Sequence, residues 1–179
     1  EQKHVLTLAK SIFARFRPPV VNTVDLKTSE TLISDLGLNS EQKKAVDFAL
    51  ADLMQRITAM EKANLKVETD PRGDQFLNIR KYDGRSIIEN FTKLLEGKLD
   101  TPQIQVLNSM VEETLTLGLL GRSDLRISAS QINSNIPPGS DLEPLAVTYE
   151  FKNTENKLET TTFTLSRRAY TDRYGPLLR

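Results

Sequence analysis

The spacing of apolar residues changes character at Gly121, and that switch bounds what the chain can fold into. Before it, apolar residues recur every three or four positions, the period of a helix with one buried face. After it, apolar and polar residues alternate, the period of a half-buried strand. Val46, Leu50, Leu53, Ile57 and Met60 form the clearest helical seam, within a helix expected from about Ser40 to Asn64. Ile87, Phe91, Leu94 and Leu95 mark a helix over Ser86 to Glu96. Ile104, Leu107, Val111 and Leu115 mark another that opens near Pro102. The link Gly97-Lys98-Leu99 is short enough to make those two helices antiparallel neighbours. Beyond Gly121 the alternations Leu125–Ala129 and Leu145–Phe151, and the threonine-rich Thr160–Ala169, predict three antiparallel strands, the last two joined through Asn153–Lys157. An earlier hairpin, Leu65–Glu68 and Phe76–Tyr82 around Asp70-Pro71-Arg72-Gly73-Asp74, either joins that sheet or stands alone. Two short segments precede all of these. Val5, Leu8, Ile12 and Phe16 suit a helix stopped by Pro18-Pro19, and Ser29–Leu36 stops at Gly37. The expected class is α+β: a helical region over 1–121 with an inserted hairpin, and a β-rich region over 122–179 with a three-stranded meander, together one compact unit.

Two helix starts share a pattern: Leu38-Asn39-Ser40-Glu41-Gln42 and Leu99-Asp100-Thr101-Pro102-Gln103. In each, a small polar residue (Asn39, Asp100) can cap the helix by accepting from an orphan backbone N–H. The glutamine three positions on (Gln42, Gln103) can reach back to the cap's own N–H, completing a capping box. In the second copy Thr101 is an alternative cap, with Pro102 then at the favoured first helical position. Ser86 and Glu89 offer a third box. Such boxes open helices of every function, so by themselves they are structural.

The paired copies nevertheless resemble, in degenerate form, the LTxxQ motif that occurs twice in small periplasmic Spy/CpxP-like proteins. The resemblance spans roughly residues 36–120. Asn39 and Asp100 stand where the motif has threonine, which conserves the cap but not the motif. What the resemblance implies is an ATP-independent chaperone or adaptor of envelope stress that binds exposed apolar segments of client proteins. It also implies an all-helical fold and a basic concave surface, whereas the residues here predict strands and show no basic excess.

Twenty-four basic residues balance 24 acidic ones in a chain of 179, so composition makes no case for nucleic acid or an anionic membrane as the main partner. No apolar run approaches the about 18 residues of a membrane span. With no cysteine, disulfides, thiolate catalysis and cysteine-ligated metals are excluded. His4, the one histidine, sits three residues after the first, a poor platform for a general base. No phosphate-binding loop, nucleophile elbow or zinc-protease motif occurs. No residue is therefore nominated as catalytic, cofactor-binding or metal-binding. Carboxylates alone can hydrolyse glycosides, but Asp47, Asp52 and Glu61 fall off the helical seam and read as a solvated face, as do Glu112 and Glu113. Arg72-Gly73-Asp74 matches an adhesion tripeptide and is equally a plain turn. Asn90-Phe91-Thr92 is a glycosylation sequon set within a helix.

The C-terminal tail is richer. Arg167, Arg168, Tyr170, Arg173 and Tyr174, followed by Arg179, suit phosphate contact and base stacking. They also suit an ordinary strand edge whose arginine stems cover apolar surface, and that reading is favoured. The leading expectation is a non-enzymatic, extracytoplasmic bacterial protein, periplasmic or at the cell surface, that binds a protein partner. Two other classes stand beside it: a carboxylate-dependent hydrolase or lyase, and a nucleic-acid-binding module built on the arginine–tyrosine tail. Oligomeric state is not legible from these residues.

Overall fold

A computed structural model describes residues 30–72, 74–115, 121–153 and 155–178, except for the side chains of Thr31 and residues 112–115. The expected helix over 5–16 and His4 lie outside the described residues, as do the Glu112 and Glu113 side chains and Arg179. Among the described residues five helices and five strands follow in the order α1 (Glu30–Asp35), α2 (Ser40–Ala63), β1 (Leu65–Thr69), β2 (Gln75–Ile79), α3 (Arg85–Leu95), α4 (Thr101–Leu115), β3 (Leu125–Gln131), β4 (Pro144–Lys152), β5 (Leu158–Ser166) and α5 (Arg167–Leu178). The class is α+β. All five strands form one antiparallel sheet in sequence order, so the early hairpin joins the meander and the sheet has five strands, not three.

The chain divides into two compact units, but not at residue 121. One comprises the segment up to Met54 together with Ser86–Leu115. The other comprises Gln55–Arg85 with everything from Thr116 onward. The first unit is helical. Val46, Leu50 and Leu53 of α2 are sealed from water, as are Ile87, Phe91 and Leu95 of α3 and Leu107 and Val111 of α4. Each set recurs at three- and four-residue steps, which is why these segments are helices with one apolar face. Asn90, the sequon asparagine, donates its amide to the Asp52 carboxylate (2.8 Å), so it is engaged within this unit.

The second unit is built on the sheet. Leu77, Ile79, Leu125, Ile127, Leu145, Val147 and Tyr149 point to one face, with Tyr174 and Leu177 of α5 packed in the same core. The opposite face is polar: Lys66, Asn78, Arg126, Glu150 and Thr160 lie side by side across the five strands. Between β1 and β2, Asp70 accepts from the N–H groups of Arg72 (2.8 Å) and Asp74 (2.9 Å). Those contacts give Arg72 and Asp74 the setting of a turn closed by Asp70. Gly121 has φ +69°, and a Cβ there would collide with the carbonyl oxygen and ring of Tyr82, whose N–H donates to the Gly121 carbonyl (2.9 Å). Only glycine fits that position.

Three local expectations change. The last strand ends at Ser166 rather than Ala169, and residues 167–178 are helix. Ser166 is the reason: its Oγ accepts from the Ala169 N–H (3.2 Å), while the Arg167 and Arg168 N–H groups donate to the carbonyls of Glu143 (2.7 Å) and Asp141 (3.0 Å). The first-turn donors of α5 are thus satisfied by a serine cap and by the preceding loop. Helix α3 begins at Arg85, so Ser86 lies inside its first turn rather than ahead of it, and Asp83 accepts from the Arg85 N–H (3.0 Å). Glu61 is not solvated but buried.

Candidate interaction surfaces

The two matching helix starts meet in the first unit. Asn39 Oδ1 accepts from the N–H groups of Glu41 (3.0 Å) and Gln42 (2.9 Å), and Gln42 Oε1 accepts from the Asn39 N–H (3.1 Å). Asp100 and Gln103 repeat the exchange, at 3.0 Å and 3.1 Å. Asp100, not Thr101, is therefore the cap of α4. Each glutamine spends its oxygen on its own box and its amide nitrogen on the other copy. Gln103 Nε2 donates to the Leu36 carbonyl (2.9 Å), and Gln42 Nε2 makes longer contacts of 3.4 Å to the Lys98 carbonyl and to Gln103 Oε1. The boxes are local, but their pairing ties the turn before α2 to the turn before α4.

Beside this tie lies an open depression of about 500 Å³ lined by Asn39, Glu41, Gln42, Lys44, Ala45, Phe48 and Lys98. Phe48 is 61% exposed, in contrast to its sealed neighbours Ala49 and Leu50 on the seam of α2. Lys44 is paired with Glu41 (3.0 Å) and Asn39 with Gln42, so the mouth carries an aromatic face beside two matched polar pairs.

The five tail residues do not form one exposed surface. Arg173 is drawn inward to Glu61, whose two carboxylate oxygens each accept from Nη2 at 2.8 Å. Glu61 is 1% exposed and the Arg173 side chain 10%. Burial pulls the guanidinium toward losing its proton, and the Glu61 carboxylate more than offsets this, so Arg173 is held even more firmly charged than usual. Its Nη1 is buried and finds no hydrogen-bond partner among the described residues. Tyr174 is buried too, its hydroxyl hydrogen-bonded to that of Tyr149. Tyr170 stacks at a tilt on Tyr174, with ring centroids 5.0 Å apart. Burial pushes the phenols of Tyr82, Tyr149, Tyr170 and Tyr174 up. Arg167 donates from Nε to Glu143 (2.7 Å), leaving Arg168 as the exposed member, at 3.8 Å from Asp172. Of the two rings in this tail, Tyr174 is buried and Tyr170 half-buried.

Glu61 and Glu143 are the residues that sequence reasoning missed. Glu143 is 3% exposed and accepts from both Arg167 and the Gly139 N–H (2.6 Å), which hold its carboxyl below the usual range. A helical signal for the tail was available: Tyr170, Tyr174 and Leu177 are spaced four and three apart. Nothing local marked the two glutamates.

Among the described residues no group of three or more His, Asp or Glu could hold a metal ion, and no helix is long and apolar enough to cross a membrane. No family model, curated protein or solved structure matches the chain.

Proposed function

We propose that this chain is a non-enzymatic binding protein of the bacterial envelope that receives an apolar segment of a protein partner at the depression beside the paired helix starts. The observation that carries the reading is Phe48. It stands 61% exposed in the wall of that depression while the seam beside it is sealed. Burying such a ring against a partner would contribute about 1.5–3 kcal/mol. The Gln42–Gln103 tie braces the floor, so the ring is presented on a fixed frame rather than a loop. The resemblance of the two boxes to the LTxxQ motif points to the same class, a chaperone or adaptor of the periplasm.

Hydrolysis by carboxylates finds less support. Each buried glutamate is already paired with an arginine. Glu143 is shifted down, opposite to what a general acid requires.

The test is affinity capture from envelope extract at low and high salt with the wild type and Phe48→Ser. A defined protein retained through high salt by the wild type and lost by the variant is the expected result, with thermal stability unchanged because the ring is exposed. Many unfolded polypeptides lost together would mark chaperone behaviour. Equal capture by both proteins, or nucleic acid alone released by salt, would overturn the reading.

A further inference from the structure

The two edges of the sheet are built differently, and among the described residues one of them is open. Strand β1 is five residues long and carries the Lys66–Glu68 ion pair (2.7 Å), the short, charged form that discourages edge-to-edge pairing. Strand β5 runs nine residues as Leu-Glu-Thr-Thr-Thr-Phe-Thr-Leu-Ser, with one charge, no proline, and an unbroken register to β4. Its outward side is solvent-accessible: Leu158 is 68% exposed, and Thr160, Thr162 and Thr164 are exposed.

The hydrogen-bond phase tells which backbone groups face out. At the two ends of the β4–β5 ladder, the Arg167 N–H donates to the Glu143 carbonyl (2.7 Å) and the Asn153 N–H to the Lys157 carbonyl (2.9 Å). In an antiparallel ladder the bonded positions alternate. The odd-numbered residues of β5 therefore bond to β4. Leu158, Thr160, Thr162 and Thr164 turn their N–H and C=O groups to the free edge, while the carbonyl of Ser166, the cap residue, opens α5.

We infer that this edge is an interface with a second copy of the chain, the two β5 strands pairing antiparallel about a two-fold axis at Thr162. That is the register in which the whole strand is engaged: Leu158 meets Ser166, Thr160 meets Thr164, and Thr162 meets itself. Threonine opposite threonine is already the pattern on this face, where the hydroxyls of Thr148 and Thr162 lie 3.0 Å apart. Like charges do not meet: Glu159, the strand's one charge, already accepts from Asn153 (2.7 Å) and falls opposite Leu165. The interface lies in the second unit and is independent of the depression beside Phe48.

Sedimentation of the whole chain over a wide concentration range tests this. The wild type dimerises. Thr162→Pro removes an outward N–H while sparing the ladder to β4, and Thr162→Lys sets two lysines face to face. Each weakens the dimer at least tenfold, whereas Val67→Lys on the β1 edge leaves it unchanged. Because the chain has no cysteine, a Thr162→Cys variant is expected to cross-link to itself on oxidation, the paired Cα atoms lying about 5.5 Å apart, within disulfide range. Thr161→Cys, in the β4-bonded phase, should not. A wild type that stays monomeric to millimolar concentration, a dimer indifferent to both Thr162 changes, or equal cross-linking at 161 and 162 would overturn the inference.

Discussion

Each unit is tied across a long stretch of sequence by a polar contact, and the two ties are opposite in kind. In the first, two neutral glutamines exchange hydrogen bonds with backbone carbonyls and with each other at a part-exposed position. In the second, a carboxylate and a guanidinium meet out of water. A neutral tie costs little to form because its groups are also content with solvent, and losing it costs correspondingly little. A buried ion pair is expensive to desolvate, so its net contribution is modest while its half-removal is severe. What each unit tolerates follows from that difference.

The largest effect belongs to the second unit. Arg173→Met strands Glu61 in the core and should cost about 3–5 kcal/mol in urea unfolding followed by far-ultraviolet circular dichroism. Adding Glu61→Leu should recover most of it. A loss below about 1 kcal/mol for the single variant would show that water reaches the pair.

The first unit separates two roles of one side chain. Gln103→Glu keeps an oxygen to close its own capping box but has no donor for the Leu36 carbonyl, and sets a charge against it. If the tie between turns matters, Gln103→Glu costs about 1–2 kcal/mol, as much as Gln103→Ala. If only the box matters, glutamate is neutral, since Glu and Gln serve equally there.

How much of this was legible follows from the same contrast. The boxes could be read because cap and glutamine are three residues apart on one helix turn. That both glutamines would spend their nitrogens on each other's turn could not, for no local pattern encodes a contact 61 residues away. Glu61 and Arg173 are 112 residues apart, and each alone looks like surface charge. Burial of a charge is decided by its partner, not by its neighbours in sequence. The strands were evident from alternation, but the helical tail was masked by the threonine-rich strand running into it. Its own signals, the Ser166 cap and the spacing of Tyr170, Tyr174 and Leu177, are short.

The smallest effect sharpens the comparison with a third tie, Glu143 to Arg167, in which one partner is buried and the other is 35% exposed. Hydrogen bonds from Arg167 and from the Gly139 backbone hold the Glu143 carboxyl below its unfolded range. Its stabilisation is therefore complete above the unfolded carboxylate value, about pH 4.3, and drains away as pH falls through the lower folded value. Thermal melts of the wild type and Glu143→Gln should differ by a constant amount from neutrality down to about pH 5 and converge below about pH 4. Parallel curves into strong acid would show that the carboxylate does not brace the start of α5.

The placement of the aromatic residues has an optical consequence. The chain has no tryptophan and four tyrosines, and Tyr82, Tyr149, Tyr170 and Tyr174 all belong to the second unit. Tyrosine absorption and emission therefore come from that unit alone, while the far-ultraviolet helix signal is shared with the first. The molecule carries a built-in label on one half of itself, and a mismatch between the two signals during unfolding would show directly whether the units come apart together.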